Sequence, residues 1–226
     1  MLELQTRYFE GHAIHVYENT CIIFGFSEIH FSAAALQRFF KPKPLLFLKQ
    51  IHSATIIKAR EWQAVSEGDG LFLDEPGSVA VIQTADCLPL FYFADDFTSG
   101  GVIHVGWRGL WQGIEKKLLE MLPGNPGKYF YFLGPAVEKK CYAVGAELHR
   151  LFKDKPYSEN IFTLRQDGKY LMDIKAGLIM SLLNAGISAA QIQDCGLCTF
   201  CSKNRFPSYR RDGKTGKRIF NFLALR

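Results

Sequence analysis

Short apolar runs recur along the chain, and several keep no polar face: "AIHVY", "TCIIFGF", "LLFLKQI", "ATIIKA", "SVAVIQ", "LPLFYF", "GVIHV", "KYFYFLG" and "RIFNFLAL". Runs of this length and composition predict strands, and apolar residues on both faces predict sheets covered by other layers. Between them the period changes to that of a helix. From Arg108, "RGLWQGIEKKLLEML" places Trp111, Ile114, Leu118, Met121 and Leu122 on one face, with Glu115, Lys116 and Glu120 elsewhere. "CYAVGAELHRLFK" and "YLMDIKAGLIMSLLNAG" read as helices too, the second stopped by Gly186. "SAAALQRFF" is a shorter helix with Ser32 as its N-cap. No repeat, low-complexity tract or linker divides the chain. The pattern therefore predicts one α/β domain over residues 1–226 with the strands at its centre.

One run is interrupted. "VIQTADCLPLFYF", residues 81–93, would be a buried strand but for Thr84, Ala85, Asp86 and Cys87 in its middle. A carboxylate and a thiol beside a core strand are costly unless something binds them. Two histidines occupy comparable places: His104 within "GVIHV", ahead of the "GWRG" that opens a helix, and His52 at the close of "LLFLKQIH". Each of the three borders small or polar residues (Ser53, Ala85, Gly106) at a strand edge, where chemistry gathers in sheet proteins. Two His and one Cys suit zinc, and three protein ligands leave the fourth position open, the catalytic pattern. The same residues admit a metal-free dyad, a Cys87 thiolate beside His104, with Asp86 or a backbone group orienting the imidazole. They could also be three unrelated half-buried side chains, and spacing alone does not choose. His52 favours metal, because a dyad has less need of it.

Composition narrows the setting. The 226 residues are 48% hydrophobic and 22% charged, ordinary globular values. No stretch approaches the ~20 apolar residues that span a bilayer, and "MLELQTRYFEGH" lacks the design of a signal peptide. A cytoplasmic protein without membrane association is expected. Six cysteines are too sparse for a disulfide scaffold and fit a reducing compartment. Cys195, Cys198 and Cys201 form "CGLCTFC", which has the spacing of a metal knuckle but no nearby His and no fourth ligand, so a structural role is expected. His149 is placed on the polar side of its helix and expected in solvent. The net charge of +5 is local: residues 203–218 carry seven basic residues and one acid, and the rest of the chain has 20 and 21. One positive loop suits a small anion better than nucleic acid, which would want aromatics interleaved over a platform.

Four motifs in order, "GDGLFLDEPGSVAVIQTADCLPLFYF", "GVIHVGWRGLWQGI", "GPAVEKKCYAVG" and "CTFCSKNRFPSYRRDGKTGKR", resemble those of the YfiH/YlmD family, also labelled laccase-domain or multicopper polyphenol oxidase. The resemblance runs from about Leu45 to the C-terminus. It implies a layered α/β/β/α domain with mixed sheets, similar to a toxin deamidase that uses a Cys–His pair. It implies a zinc site at His52, Cys87 and His104, and purine nucleoside phosphorylase activity on adenosine, inosine, guanosine and methylthioadenosine, with adenosine deamination. Cys–His amidase chemistry in peptidoglycan precursor editing is the alternative. Two departures stand out: residues 1–44 are divergent and shortened against the family's N-terminal loop, and Ala136 replaces the family's Cys after "GP". A four-copper oxidase needs many more histidines than the six here, although one Cys and two His could hold a single copper.

For the implied reactions, zinc would activate a water for attack at purine C6, or phosphate would attack C1′ as the purine leaves. Cys87 and His104 are the catalytic candidates. Arg108, at a helix start, and Arg210 and Arg211, in the basic loop, are the phosphate candidates, because a guanidinium fork matches phosphate oxygens. Arg108 could instead pair with a carboxylate, and "RDGKTG" has the chemistry of a solvated turn. Asp69 is a proton shuttle, an orienting group or a turn residue between Gly68 and Gly70.

Overall fold

The computed structural model describes residues 2–213 and 215–226. Two six-stranded sheets lie face to face. The first runs Gln5–Phe9, His12–Glu18, Ile22–Ser27, Ile219–Leu225, Val79–Thr84, Leu45–Phe47; the second runs Ile192–Asp194, Tyr129–Leu133, Leu88–Ala94, Gly100–Val105, Gly70–Leu73, Ile56–Lys58. Both are mixed: Leu45–Phe47 is parallel to Val79–Thr84 in the first, Ile56–Lys58 to Gly70–Leu73 and Ile192–Asp194 to Tyr129–Leu133 in the second, and the other pairs are antiparallel.

The period-2 pattern decides the layers. In Leu88–Ala94, Phe91 and Phe93 turn toward the other sheet, while Leu88, Leu90 and Tyr92 turn to the helices. In Val79–Thr84, Ala80 and Ile82 face the second sheet, while Val79 and Val81 pack with the helix Ala33–Phe40. That helix covers the first sheet, and helices including Ile114–Met121 and Ile174–Asn184 cover the second. The result is the expected α/β/β/α arrangement. Between the sheets, Phe24 lies 5.3 Å from Phe91, 5.5 Å from Phe93 and 5.3 Å from Phe132, ring centre to ring centre. Truncating Phe24 to Ala would cost about 3–5 kcal/mol, because a rigid aromatic cluster cannot close over the void.

Local chemistry fixes the element ends. Ser32 Oγ accepts from the Ala35 N–H at 3.1 Å, the expected N-cap. The long helix expected from Arg108 is two helices, Trp107–Gln112 and Ile114–Met121, because Gly113 takes φ 78° between them. Trp111, read as on the apolar face, is exposed, and Glu115, read as off it, is buried against Ser181. The two other helical stretches each begin with a strand, Ala143–Val144 and Tyr170–Met172, which join Phe162–Leu164 in a small third sheet. Asp173 then caps Ile174–Asn184 by accepting from the Ala176 N–H at 2.9 Å. His149 is half-buried and stacks on Tyr170 with ring centres 4.2 Å apart, so it is not a solvent residue.

The interrupted run 81–93 is resolved by topology. Its two halves belong to different sheets, and residues 85–87 carry the chain across from one to the other, with Asp86 at φ 90° making the corner. A second crossing joins Leu45–Phe47 of the first sheet to Ile56–Lys58 of the second and contains His52, at φ 58°. The thiol of the first crossing and the imidazole of the second meet beside His104, on Gly100–Val105.

Candidate active site

Asp69 organises the meeting point. It is fully buried, immediately before Gly70–Leu73, and accepts from the His104 ring Nδ1 at 2.8 Å. It also accepts from Ser53 N at 2.6 Å, Ser53 Oγ at 2.8 Å and His52 N at 3.0 Å. A buried carboxylate needs such donors, and here they belong to the crossing that carries His52. With Nδ1 committed to Asp69, the other ring nitrogen of His104 is directed to Cys87. The ligand atoms of His52, Cys87 and His104 all lie within 4.8 Å of one another, and the two imidazole rings stand nearly perpendicular with centres 4.8 Å apart.

The electrostatics follow from these contacts. Burial pushes the Cys87 thiol up, but the charge of His104 and hydrogen bonds from His104 and His52 outweigh it and bring the thiol down to about 6. Burial works against protonation of His104, while the Cys87 thiolate and the Asp69 carboxylate hold the imidazolium up to about 9. Burial raises Asp69 as well, and its bonds from His104 and Ser53 carry it below its ordinary value. The group is therefore a thiolate held by two imidazoles, one of them backed by a carboxylate.

The donor set fits a zinc ion in one further respect. A Cβ on Gly106 would stand 3.1 Å from His52 Cδ2, 3.3 Å from Cys87 Sγ and 3.9 Å from His104 Cε1. The missing side chain thus leaves all three groups room to converge. Thiolate and imidazole are the ligands zinc prefers.

These residues open into a cavity of 820 Å³. Its lining is cationic: Arg108, Arg210 and Arg218 contribute to it, and Asp86 is the sole acidic residue there among the described residues. The Arg108 guanidinium lies 4.7 Å from the Trp107 ring centre and that of Arg210 4.5 Å from the Tyr142 ring centre. Two expectations change here. Arg211 does not line the cavity: it donates to Thr199 O and Phe200 O, both at 2.9 Å, to Phe206 O at 2.8 Å and to the Asp212 carboxylate, which occupies every donor of its fork. It braces the basic loop. Asp86 does not orient an imidazole either; it accepts from Thr199 Oγ1 at 2.6 Å, Ser208 Oγ at 3.0 Å and Arg210 N at 2.8 Å. Its carboxylate ties the C-terminal loop to the residue beside Cys87.

Sequence reasoning passed over Arg218, Tyr142, Trp107 and the pair Gln50–Gln83. Gln50, on the crossing that carries His52, is tied to Gln83, on Val79–Thr84, through Gln50 Nε2 to Gln83 O at 2.9 Å and Gln83 N to Gln50 Oε1 at 2.7 Å. Arg218 reaches the cavity because it directly precedes the final strand, in which Ile219 pairs with Thr84, a pairing that no local pattern marks.

Comparisons with known proteins bear on the family and the fold. Purine nucleoside phosphorylase YfiH of Escherichia coli (strain K12) is 31% identical over 185 residues, which is 81% of this chain and 75% of that protein. Among solved structures, YlmD from Geobacillus stearothermophilus superposes with a TM-score of 0.87 at 22% identity over 100% of both chains. The Bacillus licheniformis hypothetical protein YfiH gives 0.86 at 24% identity, over 98% of this chain and 99% of that one. At those identities the superpositions speak for the fold alone. The family model described as multi-copper polyphenol oxidoreductase laccase matches residues 29–226, and the chain belongs to this YfiH/YlmD family.

Proposed function

We propose that the cavity is the active site of a zinc-dependent purine nucleoside phosphorylase acting on adenosine, inosine, guanosine and methylthioadenosine, with adenosine deamination as a second reaction. The observation that carries the proposal is the convergence of His52, Cys87 and His104 in a cavity also lined by Arg108, Arg210 and Arg218. Relatives named as purine nucleoside phosphorylases support the same reading. Residues 1–226 would work as one unit, since a single core cluster draws on both sheets.

In phosphorolysis a phosphate oxygen forms a bond to C1′ while the bond from C1′ to the purine nitrogen breaks, its electrons leaving with the base. The three arginines bind and orient phosphate, whose charge suits guanidinium donors. Tyr142 and Trp107 offer flat apolar surface for a purine ring, each already carrying a guanidinium on one face. Asp69 holds the proton on His104 Nδ1 and so fixes which nitrogen faces Cys87. Zinc held by His52, Cys87 and His104 would supply Lewis acidity for polarising a substrate oxygen or a water.

The test is product analysis of adenosine and inosine with zinc-loaded protein. Base and ribose 1-phosphate that form only with phosphate establish phosphorolysis, and inosine from adenosine without phosphate establishes deamination. No turnover of any nucleoside would remove the assignment.

A second reading has its own observation. Asp69, His104 and Cys87 stand in the order carboxylate, imidazole, thiolate, the arrangement of a cysteine amidase. That reading requires the zinc-free protein to be the active form, with activity abolished by alkylation of Cys87.

A further inference from the structure

We propose that Cys141, Cys198 and Cys201 form a second metal site, for a thiophilic divalent ion of the zinc type, which clamps two loops behind the cavity wall. Their sulfurs all lie within 4.8 Å of one another, with Cys141 Sγ 3.4 Å from Cys201 Sγ. None is in a disulfide. The sequence shows the pair Cys198 and Cys201 but conceals Cys141, which is 60 positions from Cys201 and follows a different strand.

Two features point to an ion rather than to a chance meeting of thiols. First, three sulfurs converge, and a disulfide would use two and strand the third. Second, burial is graded: Cys198 is buried, Cys141 half-buried and Cys201 exposed, so an ion enters from the Cys201 side and takes its fourth ligand from solvent. Binding displaces the thiol protons to solvent.

The clamp has something to hold. Ala136 pairs with Cys198 in an isolated parallel bridge, supported by Ala136 N to Leu197 O at 3.2 Å and Thr199 N to Ala136 O at 3.1 Å. The same two segments bind Asp86: Val137 N donates to its carbonyl at 3.0 Å and Thr199 Oγ1 to its carboxylate at 2.6 Å. Tyr142, next to Cys141, lies under Arg210 on the cavity wall. An ion joining Cys141 to the Cys198–Cys201 turn therefore fixes the spacing of Tyr142, Asp86 and the loop that presents Arg210. The site stands apart from the His52–Cys87–His104 group and does not depend on the reaction assigned there.

The experiment uses reduced full-length protein carrying Cys87→Ala, which removes one ligand of the first group. It is loaded with zinc, desalted and analysed for metal, then alkylated with and without added zinc while peptide mass spectrometry follows each cysteine. Expected are one zinc per chain and alkylation of Cys141 and Cys201 slowed ~10-fold by zinc, as thiolates held by a metal lose nucleophilicity. Adding Cys141→Ser should abolish both effects. Absence of retained zinc together with equal alkylation rates would overturn the proposal, as would a Cys141–Cys201 disulfide that persists under reducing conditions. Should Cys87→Ala fail to fold, zinc protection of the same cysteines in the unmutated chain gives the decision.

Discussion

Asp69 Oδ1 stands 2.8 Å from His104 Nδ1, and the same carboxylate binds the backbone of His52 and Ser53. One buried charge thus orients one imidazole and positions the loop that bears the other. Asp69→Asn keeps the volume but replaces an acceptor-only group with one that also donates. Groups of this kind typically set affinity by a factor of ~10–100, so zinc affinity should fall by about that much. Competition with a chromophoric chelator reads the change.

Gly106→Ala tests whether the three groups need the space beside them. The φ of Gly106 is −83°, which any residue adopts, so backbone strain is no factor. The added Cβ presses on His52 Cδ2 and Cys87 Sγ at 3.1 and 3.3 Å. Zinc affinity should drop ~10-fold or more while the melting temperature changes little, a separation that a loss of packing would not produce.

Arg210 and Arg211 are neighbours with different duties. Arg210→Ala should raise the KM for phosphate ~10-fold or more, the worth of a charge-assisted hydrogen bond, and leave zinc content unchanged. Arg211→Ala should instead destabilise the fold by about 2 kcal/mol or more, since three carbonyl oxygens lose their donor. Steady-state kinetics and urea unfolding on both variants distinguish these roles.

Glu115 predicts a pH dependence. Burial raises its pKa above the ordinary 4.5, against the bond from Ser181, and its Oε2 has no hydrogen-bond partner among the described residues. Between the unfolded and the folded pKa the native state holds a proton that the unfolded chain releases. Stability is therefore lost as pH rises through that interval and stays lower above it. Glu115→Gln should melt higher than the unmodified protein at about pH 8, with the advantage vanishing near pH 4. Thermal unfolding across this range is the check.

Much of the site was legible in the chain because its chemistry interrupts apolar strands. Cys87 and His104 break or occupy runs that would otherwise be core, and His52 closes one. A single α/β domain with covered sheets followed from strands apolar on both faces, its α/β/β/α layering from the family resemblance, and the Ser32 cap from its position ahead of a helical period. What stayed hidden depends on the path of the chain. Nothing local announces that "TADC" passes from one sheet to the other, or that Ile219 pairs with Thr84 and so brings Arg218 to the cavity. The helical reading of residues 108–122 counted residues at a constant turn, and Gly113 resets that count, which is why Glu115 went unrecognised as buried. Arg211 looked like a phosphate ligand because its charge was visible and the carbonyls it binds were not.

Diffraction from zinc-loaded crystals, recorded on both sides of the zinc absorption edge, examines the first metal group without intermediary. A peak is expected bounded by Cys87 Sγ and one ring nitrogen each of His52 and His104, at roughly 2.3 Å from sulfur and 2.0–2.1 Å from nitrogen. No peak at that position, with Cys87 open to alkylation in protein that still turns over nucleosides, would show that the three side chains converge for a purpose other than holding an ion.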